Sequence, residues 1–279
     1  MSIQRARSAL YVPADHARAM AKSVSLAADI LIYDLEDGVA PASKPAAREA
    51  LRTHFQQADN AHLRLVRINH QSTRFYIDDI TAMSAMPADG IMLSKVAHTA
   101  DINDAVEKLA RAERADMAIW CNVETPEGIL NAATIAAHPN VVGLVAGTND
   151  LANDLRIIRT AERTGLMHAL QLLLLAARAN HRIILDGTFV DLEDMKGLEA
   201  EAQQGRMLGF DGKTLIHPKQ IDSVNRIFSP SEDEMTQAKR IIKAYEAAMK
   251  EHKAVTLLDN QMIEQLHYDR ARQLLAQAD

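Results

Sequence analysis

The sequence predicts an α/β chain that closes as a TIM (β/α)8 barrel with a C-terminal helical extension. Three observations lead there. Eight short apolar runs recur along the chain, each followed by a segment of helical length and periodicity. Most of the runs end close to an acidic, basic or histidine residue, at the strand ends where such a barrel builds its site. The length of 279 residues also suits one barrel with an addition, since a barrel of this kind takes about 250.

The first run, residues 8–12, is closed by Pro13. Asp15 is placed to cap a helix through residue 26, with Ala17, Met20, Ala21 and Val24 at helical spacing. The second run, 30–33, leads into Asp34-Leu35-Glu36-Asp37-Gly38, which is either a solvated loop with a helix cap or a concentrated acidic site. Pro45 suits the first turn of a helix over 46–55. Lys44 and Arg48 lie near its start, the wrong end for cations by the dipole rule, and an anion bound there resolves the oddity. The third run, 63–69, alternates; Arg67 near its end is either a surface charge or a binder of carboxylates and oxyanions. A helix over 75–83 precedes the fourth run, 90–96, in which nothing around Lys95 argues for a Schiff-base lysine. Residues 100–114 read as helix.

The fifth and sixth runs, 117–123 and 141–146, lead into two carboxylates, Glu124 and Asp150. As parallel strands they bring both carboxylates to one end of one sheet, a seat suited to a divalent cation. One helix-length segment separates the runs, and Thr125-Pro126 suits its N-cap and first position. Gly147 supplies backbone freedom where something must approach closely. Residues 152–159 read as loop and 161–179 as a long helix. The seventh run, 182–187, contains Asp186, either a hydrogen-bonded loop residue or a third metal ligand. A helix over 194–208 follows. The eighth run, 212–216, ends in His217-Pro218, with His217 either structural or a general base. A helix over 219–227 completes the barrel within residues 1–228.

Residues 229–279 form the extension. Ser229-Pro230-Ser231 starts a helix to residue 251, apolar at Met235, Ala238, Ile241, Ile242, Tyr245 and Met249, and a last helix fills 265–277. Such a striped appendage suits packing on a neighbouring subunit.

A net charge of −6 lacks the basic footprint of a nucleic-acid binder. The single cysteine, Cys121, excludes an internal disulfide and reads as a buried core thiol. Residues 1–7 are polar and the next apolar run is short for a secretion signal, so none is expected, and the longest apolar run, 169–179, is broken by Gln171 and Arg178 and is far below spanning length. The expectation is a cytoplasmic protein with no nucleic-acid or membrane partner.

Taken in order, the motifs resemble the citrate lyase β-subunit-like (CitE-like) branch of the HpcH/HpaI aldolase superfamily, which includes malyl-CoA and citramalyl-CoA lyases. The resemblance rests on Arg7-Ser8 through Val12-Pro13, Asp34-Leu35-Glu36-Asp37 with Lys44 and Arg48, and Val66-Arg67-Ile68-Asn69. It continues in Ser94-Lys95-Val96, where Pro-Lys-Val is usual, in Glu124 with Gly128, and in Gly147 with Asp150-Leu151. Asp186-Gly187, Gly209-Phe210, Gly212-Lys213 and Ile216-His217-Pro218 complete the set. It implies Mg2+, with Mn2+ able to substitute, held by Glu124 and Asp150. It implies that Arg67 binds the 2-oxo-acid oxygen and that Glu36 and Asp37 contact water around the metal. It implies cleavage of a 3-hydroxyacyl-CoA (citramalyl-CoA, malyl-CoA or citryl-CoA) to acetyl-CoA and a 2-oxo acid in a homotrimer or dimer of trimers, with the tail reaching a neighbour's site. Thioester hydrolysis, CoA-independent aldol cleavage and a non-catalytic subunit are the other readings.

Two departures from the pattern matter. The first loop reads Pro13-Ala14-Asp15-His16 where Pro-Gly is common, so contacts to the CoA phosphates fall to Lys22 and Lys44. The tail reads Asn260-Gln261-Met262-Ile263-Glu264, with Glu264 standing where the lyases carry a catalytic aspartate.

Overall fold

The computed structural model describes residues 5–57 and 62–278; Met1–Gln4, part of the stretch read for a secretion signal, lie outside them. Eight parallel strands pair in sequence order and the eighth closes on the first. They are β1 (Ser8–Pro13), β2 (Ile30–Asp34), β3 (Leu63–Ile68), β4 (Gly90–Leu93), β5 (Ala118–Val123), β6 (Val141–Ala146), β7 (Ile183–Asp186) and β8 (Gly212–Leu215). Every residue of β2, β4 and β8 is buried, as expected of strands covered on both faces. Cys121 is fully buried in β5.

Helices alternate with the strands. They are α1 (Ala17–Ser23), α2 (Lys44–Gln57), α3 (Tyr76–Ala82), α4 (Thr99–Arg111), α5 (Pro126–Leu130), α6 (Ala132–Ala137), α7 (Thr148–Asp154), α8 (Met167–Ala179), α9 (Met195–Leu208) and α10 (Ile221–Phe228). The cap anticipated at Thr125 forms, its Oγ1 accepting from Gly128 N at 3.1 Å, and Asp194 caps α9 in the same way, its Oδ1 accepting from Gly197 N at 2.9 Å.

Four expectations are corrected. His16, not Asp15, stands at the N-cap of α1, and it makes no side-chain cap bond. The segment between β5 and β6 is two short helices, because Asn131 (φ −97°, ψ 6°) leaves the helical region between them. Part of the stretch read as loop at 152–159 is helical, since α7 already begins at Thr148. The long helix expected from 161 begins only at Met167: Arg163 adopts φ 51°, a left-handed value that no α-helix accommodates.

Residues 6–225 form one compact unit and residues 226–279 belong to a second. In the second, α11 (Glu232–Lys250) opens on a capping box, Ser231 Oγ accepting from Glu234 N while Glu234 Oε2 accepts from Ser231 N. It packs on α12 (Gln265–Ala278), with the Tyr245 and Tyr268 ring centroids 5.3 Å apart. A hairpin not anticipated from the sequence, β9 (Thr256–Leu258) and β10 (Gln261–Ile263), fills the connection. Asp259 (φ 51°) and Asn260 (φ 60°) make its two-residue turn of type I′. Among the described residues no helix is long and apolar enough to cross a membrane.

Candidate active site

The C-terminal ends of the strands surround a cavity of about 360 Å³, lined among others by Tyr11, Asp34, Asp37, Arg67, Asn122, Glu124 and Asp150. The barrel register assembles it. Asp34 at the end of β2 sits directly beside Arg67 of β3. The two meet as a bidentate pair, Arg67 Nε donating to Asp34 Oδ1 at 2.8 Å and Nη2 to Oδ2 at 2.6 Å. Arg67 Nη1 lies 3.0 Å from Glu36 Oε2, and the guanidinium carbon lies 4.7 Å from the centroid of the Tyr11 ring. The Arg67 side chain is only 12% exposed, which removes the surface-charge alternative.

The charges in the pocket set each other. Burial by itself pushes the Asp34 carboxyl up, but Arg67 and the N–H groups of Glu36 and Gly38 outweigh it and hold Asp34 below the usual carboxylate value. Asp34 in return holds Arg67 well above its usual value against the effect of burial. For Glu36 the balance goes the other way: burial raises its carboxyl, Asp37 and Asp34 add to the rise, and Arg67 and a hydrogen bond with Ser94 offset it only in part. Among the described residues Glu36 Oε2 has no hydrogen-bond partner, despite its approach to Arg67.

Glu124 emerges one residue beyond β5. Its Oε1 accepts the backbone N–H of Lys95 at 2.9 Å and its Oε2 accepts Asn122 Nδ2 at 2.6 Å. Burial, Glu36 and Asp150 together raise its carboxyl to about 8. Gly147 makes room for it: a Cβ at that position would collide with the Glu124 Cβ and lie 2.7 Å from Oε2. Asp150 stands in the first turn of α7 with its side chain 41% exposed, 3.5 Å from Lys95 Nζ. Asp150 therefore projects from a helix start, where an anion is favoured, rather than from a strand end. Lys95 takes φ 54° beyond β4, and its ammonium is raised by Asp150 and Glu124, which outweigh burial.

The structure thus brings together Arg67, Asp37, Glu124 and Asp150 in the cavity wall, with Glu36 on the Arg67 guanidinium. It adds Tyr11 and Asn122 to the wall and Lys95 behind it, bonded to Glu124 and paired with Asp150, none of which the sequence singled out for the site. Lys44 and Lys22 are not in the wall. Lys44 is buried, and its ammonium donates to the carbonyls of Leu35 at 2.8 Å and Glu36 at 2.6 Å. Arg48 pairs with Asp79 at 2.8 Å. The cations at the start of α2 are thus satisfied from within the barrel, which corrects the anion-site expectation and the phosphate role given to Lys44. Lys22 is exposed on α1. Asp186 is fully buried against Arg163 and Lys213, so it is no metal ligand. His217 caps a short 3₁₀ turn by accepting Lys219 N at 3.1 Å. Glu264 lies in the other unit, half-buried just past β10, with its N–H donating to His267 Nδ1 at 3.3 Å.

Glu124, Asp150, Asp37 and the Asn122 side-chain Oδ1 supply hard oxygen donors. Asn122 Oδ1 is buried without a hydrogen-bond partner. Among the described residues no cluster of three or more His, Cys, Asp or Glu side chains forms a complete metal cage.

Residues 7–218 match the family model HpcH/HpaI aldolase/citrate lyase. The chain is 44% identical over 274 residues to the (3S)-malyl-CoA thioesterase of Cereibacter sphaeroides, covering 98% of this chain and 94% of that one. It is 32% identical over 281 residues to the citrate lyase subunit beta of Escherichia coli K12, covering 98% and 93%. The crystal structure of CitE from Mycobacterium tuberculosis, in complex with magnesium, acetoacetate and coenzyme A, superposes with a TM-score of 0.84 at 32% identity, covering 99% of both chains. The family match, the relatives and the closed eight-stranded barrel agree, and the chain belongs to the HpcH/HpaI aldolase/citrate lyase family.

Proposed function

We propose that the protein is a Mg2+-dependent carbon–carbon lyase that cleaves a 3-hydroxyacyl-CoA to acetyl-CoA and a 2-oxo acid. The observation that carries this reading is the shared cavity wall: Glu124 and Asp150 as oxygen donors, and Arg67 locked between Asp34 and Glu36.

The donor set fits the metal. Mg2+ takes oxygen ligands, is typically held by one or two carboxylates, and keeps its other positions for water and substrate. Glu124 and Asp150 supply the two carboxylates. Asn122, whose Nδ2 donates to Glu124, adds a further oxygen in Oδ1, which is buried and has no hydrogen-bond partner among the described residues. Crystal structures of CitE with magnesium and small acids support the choice of ion. When bound, the ion supplies Lewis acidity and a template for a hydroxyl and its adjacent carboxylate.

The residues of this chain do the rest. Arg67, whose guanidinium is fixed before substrate arrives, faces the oxygen that becomes the carbonyl of the 2-oxo acid and stabilises negative charge on it. Removal of the C3 hydroxyl proton lets the C2–C3 bond break, with the electron pair passing to C2 as the acetyl-CoA enolate. Glu36, its carboxyl raised by burial, and Asp37 are the candidates to take up that proton by way of a water they hold. An acid then protonates C2, and Glu264 of a neighbouring subunit is the candidate.

A second reading has a specific support. Relatives 44% identical are named (3S)-malyl-CoA thioesterase, in which water cleaves the thioester instead of the C–C bond. Incubation with citramalyl-CoA and malyl-CoA in the presence of Mg2+, scoring 2-oxo acid and free thiol separately, tests the choice. The lyase reading expects 2-oxo acid with no free thiol. Free CoA without 2-oxo acid overturns it in favour of hydrolysis.

A further inference from the structure

Lys95 occupies an unusual place. Strand β4 stops at Leu93, and the chain then turns through Lys95 in the left-handed region (φ 54°), a conformation that non-glycine residues rarely adopt. The turn is fixed on both sides. The Lys95 N–H donates to Glu124 Oε1 at 2.9 Å, and the next residue, Val96, donates its N–H to the Asn122 carbonyl at 3.1 Å. The backbone of Lys95 is therefore tied to one carboxylate of the pair while its ammonium stands 3.5 Å from Oδ2 of the other, Asp150.

The two contacts differ in permanence. The first joins a backbone N–H to a buried carboxylate. The second joins two half-exposed side chains, 44% and 41% accessible, and such pairs contribute little and exchange readily with water.

We propose that Lys95 is a resident counter-cation of the site: its ammonium neutralises Asp150 and must be displaced when a divalent ion binds, so that Lys95 weakens metal affinity while its backbone N–H positions Glu124. This rests on the metal reading above. A positive charge resting on the Asp150 carboxylate opposes an incoming cation that uses the same carboxylate, and removing it leaves Asp150 uncompensated. Lys95 is a positioning and tuning residue, and it is assigned no part in the bond-breaking step.

Binding of Mn2+ alone to the full chain, followed by the loss of its free-ion paramagnetic resonance signal, tests this without any turnover. Lys95→Met is expected to bind Mn2+ about tenfold or more tightly than the unaltered protein, and Lys95→Arg to bind as the unaltered protein does. Lys95→Gln, which keeps nearly the same length and polarity, gives the same comparison if the methionine variant does not fold. Equal or weaker Mn2+ binding by the uncharged variants, with the unaltered protein binding normally, overturns the role of Lys95 and leaves the metal reading standing. Absence of Mn2+ binding by the unaltered protein overturns both.

Discussion

Arg67 is held on three sides before any substrate arrives: by both oxygens of Asp34, by Glu36 and by the face of Tyr11. Holding the guanidinium costs the chain a buried ion pair, and removing either partner of such a pair leaves an uncompensated charge. The arrangement presents a rigid donor without reorganisation at the moment of reaction. Lysine at this position keeps the charge but loses the planar fork that both Asp34 oxygens receive. Arg67→Lys is therefore expected to lower kcat by about 10²–10³-fold with the fold retained, measured by steady-state kinetics beside circular dichroism. Near-normal kcat would show that a point charge suffices. The sequence displayed Asp34, Glu36 and Arg67 but not their pairing, because the pairing follows from the β2–β3 register, which sets Asp34 opposite Arg67. Lys44 misled for a related reason. Lysines are seldom buried, and only the fold shows this ammonium turned inward onto two backbone carbonyls.

At the scale of elements, β7 and β8 repeat the same device away from the candidate site. Their register places Asp186 beside Lys213, and Arg163 closes on it from the loop before α8 at 2.7 Å. Burial alone pushes the Asp186 carboxyl up, but Lys213 and Arg163 outweigh it and hold it below its ordinary 3.8. A carboxyl depressed on folding contributes stability that is present above its unfolded value and is lost as pH falls through its folded value. Asp186→Asn is thus expected to flatten the fall in melting temperature on acidification below about pH 4, although the variant is less stable at neutral pH. An unchanged acid limb would mean that Asp186 does not govern it. Elements were legible in the sequence wherever burial is complete: the barrel strands read as near-continuous apolar runs because both faces are covered. The helix α7 was not, since Asn149, Asp150, Asn153 and Asp154 are weak helix formers and the segment has only seven residues. The hairpin β9–β10 was missed because its strands are three residues long and only Ile263 of the six is buried, although Asp259-Asn260 carries a two-residue turn signal.

For the whole molecule, the barrel places the candidate residues at one end because all eight strands run the same way. The barrel was therefore legible once eight alternations had been counted. The assembly is different. How residues 226–279 serve a site is not written in any periodicity, and the role of Glu264 rests on the family resemblance alone. If Glu264 acts in a neighbouring subunit, mixing Glu264→Gln chains with Arg67→Ala chains is expected to restore activity as subunits exchange, since some sites then receive an intact Arg67 and an intact Glu264. No recovery with exchange verified would place Glu264 in its own subunit's site or outside the chemistry. The central claim remains the oxygen pair of Glu124, just beyond β5, and Asp150, in the first turn of α7. The direct measurement is 2-oxo acid release from the CoA thioester as Mg2+ is titrated into the unaltered protein and into Glu124→Ala. The account predicts saturable Mg2+ dependence in the first and neither activity nor Mg2+ response in the second. Full Mg2+-stimulated turnover by Glu124→Ala would contradict it.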